Sequence, residues 1–141
     1  MLLRRYLSQL GIGKAVIDLK LPKVKYGLGE RITGEFYIIG GICEQKIKRL
    51  ECDLVQLDKV TNVQRTFDTT TILTTKFIEE EQEILIPFSF QLPISAALSS
   101  EHISYRFNTR LFFDKGVISE DQDIIQIVDQ INKKIEVYNN I

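Results

Sequence analysis

Ile84-Leu85-Ile86-Pro87-Phe88-Ser89-Phe90-Gln91-Leu92-Pro93 decides the fold class. Ile84, Ile86, Phe88, Phe90 and Leu92 share one phase of a period of two, and Leu85, Pro87, Ser89 and Gln91 share the other. Side chains along a strand point alternately to opposite faces, so this run predicts a half-buried strand with large apolar groups inward. Pro87 has no N–H to give to a ladder, which puts the strand at an edge or at a bulge. Pro93 ends it.

The same period continues on both sides. Downstream, Ile103, Tyr105, Phe107, Thr109, Leu111 and Phe113 alternate with Ser104, Arg106, Asn108 and Arg110. Asp114-Lys115-Gly116 is a turn signal, and residues 123–128 (Asp-Ile-Ile-Gln-Ile-Val) read as a last short strand. Upstream, Phe67, Thr69, Thr71, Leu73, Thr75 and Phe77 are in phase across a Thr-rich segment. Glu79-Glu80-Glu81-Gln82-Glu83 reads as a solvated hairpin tip, since consecutive acids on a tip do not fix the geometry of a cation site. From Ile47 to Val60 the phase slips: Leu50, Cys52 and Leu54 share one face, Val55 and Leu57 the other. A β-bulge in the strand, or a strand that changes sheets, produces such a slip. Ile32, Gly34, Phe36 and Ile38 form another inward set, closed by Gly40-Gly41, and Ala15, Ile17, Leu19 and Leu21 form the first. Tyr26-Gly27-Leu28-Gly29-Glu30 between them reads as a turn, because closely spaced glycines permit positive φ.

Composition agrees with an all-β chain. The 141 residues contain 20 Ile, 8 Val and 9 Thr against 3 Ala, a balance that favours pleated surfaces over helices. The length suits one domain. These observations predict an immunoglobulin-like β-sandwich of seven to eight antiparallel strands over residues 14–128. Two flanking segments differ. Leu3, Tyr6, Leu7 and Leu10 recur at helical spacing before Gly11-Ile12-Gly13, predicting a short N-terminal amphipathic helix over 1–13. Residues 129–141 regain a helical period through Ile131, Ile135 and Tyr138 and are expected to form a helical or extended tail.

Little in the chain suggests catalysis. His102 is the sole histidine and stands on the polar phase of its strand, with no nucleophile or orienting acid supplied by spacing. The glycines lack the strand–loop–helix context and the Lys-Ser/Thr pair of a phosphate loop. Cys43 and Cys52 have no partners at zinc-ligand spacing and read as free thiols, Cys52 as a small buried hydrophobe. Carboxylates read as solubilising turns and strand ends; whether two face each other across a cleft cannot be read from spacing. No catalytic residue, metal or cofactor is expected. Eighteen basic against nineteen acidic residues leave no field for nucleic acid. Arg106 and Arg110 lie opposite in phase to the aromatic rings that a stacking platform would need beside them. No run approaches the length of a membrane span, the start Met1–Leu7 is charged too early for a secretory signal, and the thiols suit the cytoplasm.

The order of signals resembles the bacterial sporulation-control SpoOM family. The residues that carry the likeness are the N-terminal Leu/Arg helix ending in Gly11-Ile12-Gly13-Lys14-Ala15, then Tyr26-Gly27-Leu28-Gly29-Glu30, Ile32-x-Gly34 and Gly40-Gly41. Ile47, Leu54, Ile86-Pro87-Phe88-Ser89-Phe90-Gln91-Leu92-Pro93 and Asp121-x-Asp123-x-Ile125-x-Ile127 complete it. The likeness covers residues 1–128, the family's amino-terminal sandwich, and departs at Leu28-Gly29-Glu30, where the family carries Pro-Gly-Glu. It implies an arrestin-like sandwich and a non-enzymatic regulatory or scaffolding protein that works by docking to other proteins.

An unclosed sheet edge and two apolar helical termini are ways to hold partners. Ile131, Ile135 and Tyr138 in the tail, with Leu3 and Leu7 at the start, are the candidate partner-binding residues, and a homodimer through the tail is one expectation. A sandwich binding a small sugar or lipid is the alternative, with Tyr26, Tyr37 and Tyr138 as the rings off the core phase.

Overall fold

The computed structural model describes residues 13–129 and, ahead of them, Leu3. The predicted N-terminal helix and C-terminal tail therefore lie almost wholly outside the described residues. Between them run nine strands: β1 (Val16–Lys20), β2 (Lys25–Gly27), β3 (Arg31–Ile39), β4 (Gln45–Asp58), β5 (Val63–Leu73), β6 (Phe77–Ile78), β7 (Glu83–Gln91), β8 (Ile103–Phe113) and β9 (Ile118–Val128). No helix interrupts residues 13–129. Two sheets form the sandwich. One has the order β1-β3-β7; the other has the order β2-β9-β8-β4-β5, with β6 beside β4.

The expectation of seven to eight antiparallel strands is corrected in number and in sense. Nine are present, and β2 pairs parallel to β9, with Tyr26 opposite Ile127. Tyr26-Gly27, read as part of a turn, is that extra strand; the turn proper is Leu28-Gly29, with Gly29 at φ 73°. The last strand begins at Ile118 rather than 123, because Ser119, Asp121 and Asp123 hold the inward phase where apolar residues would have announced it. The phase read across the Thr-rich run is corrected from Phe67 onward: Thr70, Ile72 and Ile78 take the inward positions, so Thr69, Thr71, Leu73 and Phe77 are exposed.

β4 does slip in phase, but at Lys48 and not between Leu54 and Val55. Against β8, Ile47 faces Phe113 and Arg49 faces Phe112, leaving Lys48 unopposed. The extra residue lets Ile47 and Leu50 both point inward. Against β5, Leu54 faces Asp68 and Val55 faces Thr66, so the second bulge is Phe67 of β5 and not a residue of β4. Val55 is buried on the outer face. Asp53 is buried beside it, where Arg110 donates to it at 2.9 Å and the Thr69 hydroxyl at 2.7 Å. Arg110 also donates to Glu51 at 3.1 Å, and Glu51 accepts from Arg49 at 2.9 Å. Of the two arginines read on the polar phase of β8, Arg110 thus joins Arg49 in a charge ladder, while Arg106 donates to Asn108 at 3.1 Å.

The core joins the layers through aromatic rings. Phe88 of β7 meets Phe36 of β3 edge-on at 5.1 Å and Phe107 of β8 edge-on at 5.3 Å, and Phe90 meets Phe107 at 5.5 Å. Edge-to-face contacts set the positive ring edge against the negative face of the neighbour. The inward phases read from β7 and β8 therefore meet. Pro87 stands on β7, an outer strand of its sheet, as its missing N–H requires. Cys52 lies in this core as a free thiol. Burial pushes it up to about 12, against the Thr109 hydroxyl that donates to its sulfur at 3.5 Å. A thiol so protonated packs as a hydrophobe.

Candidate functional site

An edge strand presents unpaired N–H and C=O groups, so each outer strand is a place where another chain could add itself. The four differ in how that row is covered. On β7 the donor row lacks the N–H of Pro87. β2 has three residues. β1 lies against β9 where the two sheets meet. There the Leu19 N–H donates to Asp121 Oδ2 at 2.9 Å, the Ser119 hydroxyl donates to the Ala15 carbonyl, and the Lys14 ammonium donates to the Ile118 carbonyl. Side chains of β9 and of Lys14 thus stand in for a ladder. β5 is different: eleven residues, neither Pro nor Lys, and exposed apolar ends at Val63 and Leu73. Among the described residues it is the longest outer strand with no Pro and no tie to the facing sheet, and of its N–H groups that of Thr69 donates to Asp68 Oδ1 at 2.8 Å.

The junction of β1 and β9 gathers the second candidate feature. Asp18, Asp121 and Asp123 each bring a carboxylate oxygen to within 4.8 Å of the others. Asp121 and Asp123 are on the inward phase of β9, opposite Thr109 and Phe107 of β8. Asp123 Oδ2 is buried with no hydrogen-bond partner. Two carboxylates bond to each other only with a proton between them. Burial first, then the hydrogen bond and charge of Asp121 and the charge of Asp18, push Asp123 up to about 7. Burial and Asp121 also raise Asp18, with Lys20 opposing. At neutral pH the cluster therefore keeps a proton among its members for much of the time. Through one oxygen each, the three carboxylates offer three of the six to eight oxygens that a hard cation takes.

These acids correct the reading that carboxylates stand only at turns and strand ends: all three are mid-strand. The signal was the spacing Asp121-x-Asp123-x-Ile125-x-Ile127, whose acids share the phase of the buried isoleucines. Their partner Asp18 lies 103 residues before Asp121 in sequence, a distance no local pattern spans. Of the candidate partner-binding residues, Leu3 is exposed, and Leu7, Ile131, Ile135 and Tyr138 lie outside the described residues. His102 is exposed, its backbone N–H donating to Ser100 Oγ at 3.2 Å. Of the rings in the small-ligand reading, the described Tyr26 and Tyr37 do not come together, and Tyr138 lies outside the described residues. Tyr26 is buried in the six-stranded sheet, its hydroxyl donating to the Lys23 carbonyl at 2.9 Å. Tyr37 stands in the other sheet with the Lys20 ammonium 4.4 Å from its ring centroid. Among the described residues no helix is long and apolar enough to cross a membrane.

Fold and seam together define an all-β protein of two facing sheets, three and six strands, with three carboxylates collected where the sheets meet. Residues 3–135 match the family model described as SpoOM protein, and the chain belongs to that family. It is 25% identical over 128 residues to the sporulation-control protein Spo0M of Bacillus subtilis (strain 168), covering 86% of this chain and 50% of that protein. The crystal structure of Spo0M from Bacillus subtilis superposes with a TM-score of 0.75 at 23% identity, over 92% of this chain and 56% of that one. The chain spans about half the length of the curated relative it matches. The expected resemblance to the sporulation-control family is thus established.

Proposed function

We propose that this sandwich is a non-enzymatic docking module of the arrestin-like kind, and that β5 is the edge to which an extended segment of a protein partner adds itself. The observation that carries the reading is the contrast among the outer strands: β1 is tied to β9 by side chains, β7 is interrupted by Pro87, and β5 has neither cover. Main-chain hydrogen bonds would supply affinity along its eleven residues, and its exposed side chains would supply selectivity.

The test puts lysines on the edge, the device proteins use to blunt one. Thr66→Lys with Thr71→Lys leaves the β4–β5 ladder intact, since both residues are exposed. Crosslinking in the native host, followed by isolation of this chain, is expected to lose its partner with the double variant and keep it with Ile124→Ser, a change at an exposed position on β9. Identical crosslinked species from all three proteins would remove β5 from the account.

The same reading assigns the apolar residues of the two ends, Leu3 and Leu7 with Ile131, Ile135 and Tyr138, to contacts with partners, the tail with a second copy. Each large apolar side chain buried is worth about 1.5–3 kcal/mol, so three per chain contribute materially to a dimer. Light scattering is expected to show a dimer that becomes a folded monomer when Ile131, Ile135 and Tyr138 are all replaced by Ser. An oligomeric state that does not change with those substitutions refutes the assignment.

A further inference from the structure

We propose that the junction of the two sheets is a pH-dependent latch: a proton shared among Asp18, Asp121 and Asp123 holds β1 against β9, and its loss frees the flank of β1. The three carboxylates come from both sheets, Asp18 from β1 and the other two from β9, so their repulsion acts across the junction. Asp121 is at once a member of the cluster and the acceptor of the Leu19 N–H, so recoil of its carboxylate pulls on the backbone of β1. Asp123 Oδ2 is enclosed with no donor on it, the situation in which a carboxyl is stable only as an acid or beside one.

The surroundings do not supply a compensating charge from the core side. β8 opposes Asp121 and Asp123 with Thr109 and Phe107, and β4 contributes Cys52, a neutral buried thiol. On β1, Lys20 favours the ionised form of Asp18. The Lys14 ammonium is engaged by the Ile118 carbonyl, and Glu120 occupies the opposite phase of β9. The bonds from Ser119 and Lys14 hold the Ala15 end of β1, so the latch acts on its second half, from Asp18 to Lys20.

The direction follows from linkage. Asp123 sits near 7 when the junction is closed and returns toward its ordinary 3.8 when it opens, so the closed form binds the extra proton. Closure is fully supported below 3.8, weakens as pH rises through the interval, and is least supported above about 7. The device does not depend on where a partner docks.

Hydrogen exchange at the Leu19 amide, corrected for the intrinsic pH dependence, tests it on the whole chain. Protection at Leu19 is expected to fall on the order of tenfold between about pH 5 and 8, with the Phe107 amide in the core much less affected. Asp123→Asn is expected to flatten the profile, and Asp18→Asn, at an exposed position, to reduce the fall. A flat profile in the unsubstituted protein overturns the latch whatever the variants do, and so does a fall that survives both substitutions. Calcium or manganese chloride added at pH 8 is expected to leave Leu19 exchange unchanged; protection restored by either ion would mean that a cation, not a proton, bridges the cluster.

Discussion

Phe107→Ala is expected to lower the stability of the sandwich by about 3–5 kcal/mol, the range for removing a large aromatic side chain from a core. Phe107 is fully buried, and its ring is the point at which the two layers interlock. Phe88 and Phe90, both from the three-stranded sheet, meet it edge-on at 5.3 and 5.5 Å from the opposite side. Truncation removes both contacts and leaves a void that β8 cannot close. It is held by β4 on one side and β9 on the other over nearly its whole length. For a chain of this size the loss corresponds to a melting temperature lower by roughly 10–20 °C. Thermal and denaturant melts measure it. A loss below about 1 kcal/mol would mean that the sheets are not joined through this ring.

Gly41→Ala is expected to cost at least about 3 kcal/mol, at the upper end of what forced overpacking costs. A Cβ at this position would fall 2.0 Å from the Gly13 carbonyl oxygen and 2.7 Å from the Lys14 carbonyl carbon, backbone atoms with no rotamer to yield. Three stretches of main chain cross here. The Ile42 N–H donates to the Gly13 carbonyl at 2.8 Å, the Gly40 N–H to the Gln82 carbonyl at 2.8 Å, and the Glu81 N–H to the Gly41 carbonyl at 3.3 Å. Displacing one strand of this crossing disturbs the entry to β1 and the turn before β7 together. Gly116→Ala is the control. Its φ is 79° and a Cβ would meet nothing within 4 Å, so only left-handed strain of roughly 1–2 kcal/mol applies. Equal losses for the two substitutions in denaturant melts would show that crowding at Gly41 is not what matters.

How much of this was legible follows from what each segment faces. β7 and β8 were readable residue by residue because each has one face on the core, so burial copies the period of two into the sequence. The same logic failed where a polar group takes an inward position. Asp121 and Asp123 hid the first half of β9, and the seam they form with Asp18 depends on a meeting of the two ends of the domain. Tyr26 was misread because Gly27 and Gly29 are strong turn signals, while its parallel pairing with Ile127 is a tertiary fact. The slip in β4 was visible, but its residues were not. Burial of Val55 comes from the outer-face neighbours of a strand covered on both sides, and the bulged Phe67 belongs to the adjacent strand. Family membership was legible for a different reason: it rests on the order of several weak motifs, which survive even where single positions such as Leu28 depart.

The parallel pairing of β2 with β9 has a consequence for synthesis. A chain emerging from the ribosome carries Tyr26 long before Ile127 exists to cover it, and the bonds that tie β1 to Ile118, Ser119 and Asp121 wait equally long. Native closure is therefore a late event dominated by non-local contacts, the kind that slows folding. Until β9 arrives, β8 offers an unpaired edge, the kind of margin that exposes a partly folded chain to aggregation.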